Sequence, residues 1–147
     1  MRVLVLNGPN LGRLGAREPE VYGSATHDDL VARCTAAGAE LGLDVEGRQT
    51  DDEAELVAWL HEAADESIPV VLNPAAFTHY AYALRDACAQ LTGPLVEVHL
   101  TNPATRERFR HSSVIASMAT GSISGFGLES YVLALRAIAG LVPELRG

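Results

Sequence analysis

Short apolar runs alternate with amphipathic helical stretches along the whole chain, and this alternation limits the possible fold more than any other feature of the sequence. The runs at residues 2–6, 45–50, 70–72, 95–99 and 119–123 have the length and composition of buried strands. The stretches at residues 26–41, 52–64, 80–91 and 128–141 have the apolar spacing of helices. Repeated strand–helix units without a linker predict a single domain over residues 1–147, with five parallel strands in a doubly wound α/β sheet and helices on both faces.

The expected strand order is 2-1-3-4-5, the flavodoxin-like arrangement.

Local signals support the first predicted helix. Thr26 is a suitable N-cap, Asp28 and Asp29 suit the positive end of a helix, and Gly42 is a stop signal. His27, at the start of this helix, and His61, within the next one, are expected to face solvent.

Charge and composition exclude several classes of partner. The formal charge is −8 with no basic run, so we expect neither a nucleic-acid nor an anionic-membrane partner. No apolar run approaches the roughly eighteen residues of a membrane span, and no signal peptide precedes the first strand. Cys34 and Cys88 fall in separate helical stretches and are expected to be buried free thiols. These features predict a cytoplasmic protein.

The eleven basic residues are all arginine, and the chain has no lysine. This excludes catalysis through a lysine imine, a lysine general base and a Walker-type phosphate loop. The patterns HExxH, CxxC and GxSxG are also missing. The sequence therefore predicts chemistry that needs neither a metal nor a cofactor.

A long polar loop, NGPNLGRLGAREPEVYG, follows the first strand at residues 7–23. Loops at the carboxyl ends of parallel strands are where α/β folds bind ligands. The loop contains Asn7, Asn10, Arg17 and Tyr22. A tyrosine near an arginine can act as a base, because nearby positive charge favours the phenolate. The loop is therefore the first candidate for catalytic chemistry.

Polar residues also follow the third and fourth predicted strands, namely Asn73 and His79 after one and residues 99–102 after the other. Together with the first loop they predict a polar site for a hydroxylated, anionic small molecule. Any one asparagine is equally well explained as a turn former.

Glu97 and His99 lie two residues apart in the fourth predicted strand, so their side chains share a face. The carboxylate could orient the imidazole, an arrangement that suits a general acid. The alternative is a surface pair at a strand end.

Several segments resemble type II 3-dehydroquinate dehydratases, in order and across nearly the whole chain. They are the first loop, RQTDDEAEL (48–56), LNPAAFTHYAYALRDA (72–87), VEVHLTN (96–102), RERFRHSS (106–113) and ATGSISGFGLESYVLAL (119–135). The resemblance implies a hydro-lyase that removes water from 3-dehydroquinate by anti elimination through an enolate, giving 3-dehydroshikimate. The reaction serves the shikimate pathway to chorismate and the aromatic amino acids, or quinate breakdown. The alternative is a non-catalytic flavodoxin-like module that binds a small molecule or a nucleotide.

The resemblance also implies roles for individual residues. Tyr22 matches the base that removes the C2 proton, and Arg17 matches the arginine that keeps it ionised, with Arg13 as a second candidate. Asn10 matches the residue that holds a water or the enol oxygen. His99 matches the acid that protonates the departing hydroxyl, oriented by Glu97. The matched substrate-binding positions are Asn73, His79, Asp86, Leu100 through its backbone N–H, Thr101 and Arg110.

Two further expectations concern the loop and the assembly. Gly12, Gly15 and Gly23 give backbone freedom to the first loop, so residues 11–23 are expected to form a lid over the active site. The resemblance implies a homo-oligomer, a dodecamer built as a tetramer of trimers, in which Asp86 reaches the site of a neighbouring subunit. The chain departs from the family's usual pattern at Ala75, Phe77, Tyr80, Ala81 and Thr101, which affects substrate fit rather than reaction class.

Overall fold

A computed structural model of the chain describes residues 1–16, 18, 20 and 23–142. Within them, five parallel strands form one sheet in the order β2-β1-β3-β4-β5, which confirms the predicted topology. The strands are β1 (Arg2–Asn7), β2 (Asp44–Gln49), β3 (Val70–Asn73), β4 (Leu95–His99) and β5 (Gly121–Ser124). Each predicted strand is present, with its ends displaced by two residues at most.

The main helices are α1 (His27–Glu40), α2 (Glu53–Glu66), α3 (Tyr82–Cys88) and α4 (Glu129–Leu141). Thr26 caps α1 in a reciprocal capping box with Asp29, as its position in the sequence predicted. Asp52 caps α2: its backbone is extended, as that of Thr26 is, and its side chain accepts a hydrogen bond from the Ala54 N–H.

Helix α3 is shorter than the predicted 80–91. Residues Ala75–His79 form a 3-10 helix just before it, and Tyr80, with a φ of −153° and a ψ of −7°, lies outside helical geometry and separates this turn from α3. At the other end, the Gln90 and Leu91 N–H groups bond to carbonyls three residues back, which tightens the chain out of the α-helical geometry.

Side chains alternate between the two faces of the central strand β1. Val3 and Val5 pack with Leu30 and Leu135 beneath α1 and α4. Leu4 and Leu6 pack with residues of α2 and α3 on the opposite face. These two apolar layers cover the sheet, as a doubly wound fold requires. Cys34 and Cys88 are buried free thiols, one in each layer, as predicted.

The same alternation decides where the polar residues at the carboxyl ends of the strands point. Asn7 continues the series of Val3 and Val5, so its side chain lies on the α1/α4 face. Asn73 is the partner of Asn7 in the sheet and lies on that face too. Glu97 and His99 follow Leu95 along β4 at intervals of two residues, so their side chains lie on the α2/α3 face, as that of Leu95 does. One end of the sheet therefore carries polar groups on both faces.

The chain leaves β1 through a close contact that only glycine permits. A Cβ on Gly8 would lie 2.6 Å from the Pro74 carbonyl oxygen. The loops after β1 and β3 are thereby held side by side. None of the helices in the described part of the chain is both long enough and apolar enough to span a membrane.

Candidate active site

A cavity of about 290 Å³ opens at the carboxyl ends of β1, β3 and β4. Its position is the one at which open α/β sheets bind ligands. The residues predicted from the sequence that line it are Asn10, Asn73, His79, His99, Leu100, Thr101 and Arg110. Residues that lie far apart in the chain thus meet in one polar pocket.

His99 lies in the wall of this pocket and is anchored from behind by Glu97. Its Nε2 is 2.6 Å from the Glu97 Oε2. Because a carboxylate only accepts, Nε2 carries the hydrogen, and Nδ1 is the nitrogen left for a ligand. The Glu97 side chain is only 2% exposed, so the alternative of a surface pair is wrong.

Two hydroxyl groups complete the surroundings of Glu97. Thr78 Oγ1 donates to Glu97 Oε2 at 2.5 Å, and Ser113 Oγ lies within 3.0 Å of both carboxylate oxygens. Ser113 Oγ in turn accepts the Ile115 and Ala116 N–H groups, which directs its own hydrogen toward Glu97. Sequence reasoning missed Thr78 and Ser113, although both lie within segments that carry the family resemblance.

Burial by itself raises the pKa of the Glu97 carboxyl, but the hydrogen bonds from His99, Thr78 and Ser113 together hold it below its ordinary value. Glu97 is therefore a buried carboxylate that stays ionised. A fixed negative charge that accepts the Nε2–H holds the His99 ring in one orientation, with Nδ1 left for a ligand.

Another part of the pocket lining is formed by His79, Phe109 and Arg110. His79 Nδ1 donates to the Ser112 carbonyl at 2.7 Å, which leaves Nε2 available. The ring of His79 meets the Phe109 ring edge-on, and the Arg110 guanidinium lies 4.7 Å from the centre of that ring. Arg110 also bonds to Glu107 at 3.1 Å. The wall thus holds an oriented imidazole beside a cation.

Arg106 is a pocket residue that sequence reasoning did not single out. It lines the cavity, and its Nη1 lies 3.5 Å from the Thr101 hydroxyl. Its position three residues before Phe109 and four before Arg110, in the segment RERFRHSS, was a usable signal because short 3-10 turns bring such residues together.

The floor of the pocket near β1 and β3 rests on a chain of neutral hydrogen bonds. Asn73 Nδ2 donates to the Tyr131 hydroxyl at 2.9 Å, and that hydroxyl donates to Asn7 Oδ1 at 2.7 Å. Asn7 Nδ2 then lies 3.1 Å from His27 Nε2. Tyr131 is fully buried, and burial raises the pKa of its hydroxyl far above the ordinary value.

His27 is half-buried, so the expectation that it faces solvent is wrong. Burial lowers the pKa of its imidazole because the charged form loses solvation, and the nearby Asp28 offsets only part of this. The start of α1 lies close enough to the end of β1 for the Asn7 side chain to reach it.

The other predicted residues are placed as follows. Arg17 and Tyr22 lie outside the described residues. Arg13 is exposed and is not part of the pocket lining. Asn10 adopts a left-handed backbone (φ 70°), and its N–H donates to Asp51 at 2.8 Å. Asp86 lies on α3 with its side chain 74% exposed, paired with Arg85 at 3.3 Å, away from this pocket.

Among the described residues, no group of three His, Cys, Asp or Glu side chains is arranged to hold a metal ion.

Comparison with known proteins gives a consistent result. The sequence matches the family profile described as "Dehydroquinase class II" over residues 1–139. It is 63% identical over 139 residues to the 3-dehydroquinate dehydratase of Salinispora tropica, covering 95% of this chain and 97% of that protein. The crystal structure of a type II dehydroquinase from Propionibacterium acnes superposes with a TM-score of 0.93 at 57% identity, covering 95% of this chain and 96% of that one. A type II dehydroquinase from Butyrivibrio crossotus gives a TM-score of 0.91 at 38% identity, with coverage of 94% and 97%.

Proposed function

Because the chain belongs to the class II dehydroquinase family, we propose that its pocket is the active site of a 3-dehydroquinate dehydratase. The enzyme is a hydro-lyase that removes water from 3-dehydroquinate and forms 3-dehydroshikimate. The observation that carries the assignment of the pocket is the buried pair of Glu97 and His99 in its wall. A pocket with an imidazole anchored in this way is equipped to protonate a leaving hydroxyl.

His99 is the proposed acid. Its Nε2–H is occupied by Glu97, so Nδ1 faces the substrate and delivers the proton to the C1 hydroxyl, which leaves as water. The carboxylate of Glu97 stabilises the imidazolium before transfer and fixes the ring orientation. Asn10, at the mouth of the same pocket, is proposed to hold the water or enol oxygen that stabilises the enolate.

Tyr22 is the proposed base, which removes the C2 proton as a phenolate, and Arg17 keeps it ionised. Both residues lie outside the described part of the chain, and the support for these roles is their place in the segment NGPNLGRLGAREPEVYG. Proton removal by Tyr22 and proton delivery by His99 together balance the elimination, because the electrons of the C2–H bond pass through the enolate to expel the C1 oxygen.

The substrate is anionic and hydroxylated, and the remaining pocket groups suit it. The side chain of Arg110 is 20% exposed and supplies a positive charge in the pocket wall. His79 supplies a ring nitrogen. Thr101 supplies a hydroxyl, Leu100 a backbone N–H, and Asn73 a carboxamide at the floor. These groups are proposed to bind the carboxylate and the ring hydroxyls.

The whole chain, 1–147, is proposed to form one catalytic domain with residues 11–23 as its lid. Gly15 and Gly23 have positive φ angles of 94° and 81°, which only glycine adopts without strain. Hydrogen exchange tests the lid. We expect slower exchange over residues 11–23 when a substrate analogue is bound, and equal exchange in both states would contradict closure.

The active form is proposed to be a cytoplasmic homo-oligomer, a dodecamer of four trimers. Support comes from Asp86, whose side chain is exposed and is not among the residues that line its own pocket. If Asp86 completes a neighbour's site, both Asp86→Ala and Tyr22→Phe should lower activity, and mixed oligomers of the two should recover part of it. Failure to recover activity in mixed oligomers shown to form would contradict the shared site.

The activity itself is tested by ultraviolet absorbance, because the product is a conjugated enone. Purified protein is expected to form it from 3-dehydroquinate, and borohydride added with substrate should not inactivate the protein, since there is no lysine to trap. A Tyr22→Phe variant should lose at least about 10²-fold in kcat. A folded wild-type protein that forms no enone would overturn the assignment.

A further inference from the structure

The hydrogen-bond chain from the pocket floor to helix α1 has a fixed direction. It begins at the backbone, where the Ala75 N–H donates to Asn73 Oδ1 at 3.0 Å. A backbone N–H can only donate, so the oxygen of the Asn73 carboxamide must face Ala75 and the nitrogen must face Tyr131.

That orientation determines every later bond. With Asn73 Nδ2 donating to it, the Tyr131 hydroxyl is left to give its own hydrogen to Asn7 Oδ1. The Asn7 amide nitrogen then faces His27 Nε2, which must accept. The imidazole of His27 therefore carries its hydrogen on Nδ1. With the Asn7 carboxamide turned the other way, the fully buried Tyr131 hydroxyl would have no acceptor for its hydrogen, so this direction is the one that satisfies it.

Tyr131 is the centre of this chain. Asn7, Asn73 and Tyr131 are each 3% exposed or less, so the bonds are shielded from water. A buried tyrosine hydroxyl without partners would be costly, and here it has one donor and one acceptor. Asn73 lines the cavity and keeps a second hydrogen on Nδ2, for which the described residues provide no partner.

We propose that Tyr131 is a positioning residue for this enzyme: its hydroxyl fixes the Asn73 carboxamide so that one amide hydrogen is directed to the substrate. The inference rests on the proposed function, because it takes Asn73 as a substrate-binding group. Tyr131 itself contacts neither substrate nor reacting atoms. It acts by removing the rotational freedom of a carboxamide, which would otherwise be ordered only on binding.

The test uses Tyr131→Phe, which deletes one oxygen and keeps the buried ring. We expect KM for 3-dehydroquinate to rise about tenfold, the equivalent of one hydrogen bond, while kcat changes by less than about threefold. The matched control is Ser130→Ala, which removes a fully buried hydroxyl one residue away. Ser130 Oγ accepts the Phe126 N–H and does not line the pocket. The control should lose stability and keep its KM.

A second measurement separates positioning from a merely structural role. Nitrogen-15 shifts report which ring nitrogen of His27 is protonated, with His27→Gln used to assign the signals. Wild-type His27 should carry its hydrogen on Nδ1. In Tyr131→Phe the Asn7 amide loses its donor and can turn, so the Nε2–H form should become populated, whereas Ser130→Ala should not change the tautomer.

The outcomes are distinct. An unchanged KM in folded Tyr131→Phe would overturn the positioning role, whatever the tautomer. If wild-type His27 carried its hydrogen on Nε2, the proposed direction of the hydrogen-bond chain would be wrong. This measurement uses the wild type alone, so it does not depend on the folding of a variant. A wild-type protein that forms no enone would contradict the proposed function, and the histidine shifts would still decide the direction of the chain.

Discussion

On the α2/α3 face of the sheet, the end of β4 holds Glu97 and His99, and on the α1/α4 face the ends of β1 and β3 hold Asn7 and Asn73. Both sets are tied to distant parts of the chain by hydrogen bonds. They differ in charge. The network of Glu97, His99, Thr78 and Ser113 is built around a carboxylate, whereas the chain from Asn73 through Tyr131 and Asn7 to His27 is neutral.

Because of this difference, the two hydrogen-bond networks suit different tasks in the same pocket. The buried carboxylate of Glu97 fixes the orientation of the His99 imidazole, so the charged network suits proton transfer. A neutral chain with one allowed direction stabilises a geometry and moves no proton, so it suits the placement of a binding group. Because both networks start at adjacent strand ends, the sheet holds the acid and the binding amide in a fixed relation.

The largest expected effect comes from removing the acid. His99→Ala should lower kcat by at least about 10²-fold, with a smaller change in KM, because the leaving hydroxyl loses its proton donor. Steady-state absorbance assays measure both constants. His61→Gln, an exposed histidine of α2, is the control and should behave as wild type. If His99→Ala kept more than about a tenth of wild-type kcat, the charged network would not be the proton-transfer unit.

Glu97→Gln tests whether the charge itself matters. The amide nitrogen would bring two hydrogens into a site where Thr78, Ser113 and His99 already donate. We expect kcat to fall by about tenfold or more and the free energy of unfolding by about 1–3 kcal/mol, measured in urea. Glu129→Gln, in an exposed pair with Arg33, is the matched control and should cost less than about 1 kcal/mol. Equal losses in the two variants would contradict a special role for the buried charge.

Much of the fold could be predicted because its signals are local. Apolar runs of strand length, the Thr26 cap and the Gly42 stop each depend on neighbouring residues. The two ends of α3 were not predicted, because Tyr80 leaves helical geometry and the chain tightens at Gln90 and Leu91. Side chains at every second residue of a strand share a face, and this local rule also placed Glu97 and His99 together.

The partners of the site residues could not be predicted because they come from distant segments. Ser113 reaches Glu97 from sixteen residues away in sequence, and Tyr131 reaches Asn7 from 124 residues away. In sequence, Tyr131 is one more apolar position on an amphipathic helix, and His27 is a polar residue beside a helix cap. Only the packing of α4 and α1 over β1 shows that each is a hydrogen-bonding partner.

Thr78 tests how much the charged network depends on its hydroxyl groups. Thr78→Val keeps the shape of the side chain and removes a donor to Glu97. We expect a loss of about 1–2 kcal/mol in the free energy of unfolding and a severalfold lower kcat. Thr78→Ser restores the hydroxyl and should recover most of both. If the serine variant were as impaired as the valine variant, packing of the Thr78 methyl group would explain the loss instead.

The smallest expected effect is a difference in the pH range over which each network loses stability. The pKa values of His27 and Glu97 are both below their ordinary values of 6.5 and 4.5, so in each case the unfolded chain binds the proton more readily. The stability from each group is therefore complete above the ordinary pKa and is lost as pH falls through the folded-state pKa.

Relative to His27→Gln, the wild type should begin to lose stability below about pH 6.5, by at most about 1.4 kcal/mol per pH unit. Relative to Glu97→Gln, the loss should begin only below about pH 4.5. Urea unfolding in steps of pH measures both differences. A wild-type advantage over His27→Gln that grows in acid would mean that His27 gains its proton on folding, and the hydrogen bond between Asn7 and His27 would then run in the opposite direction.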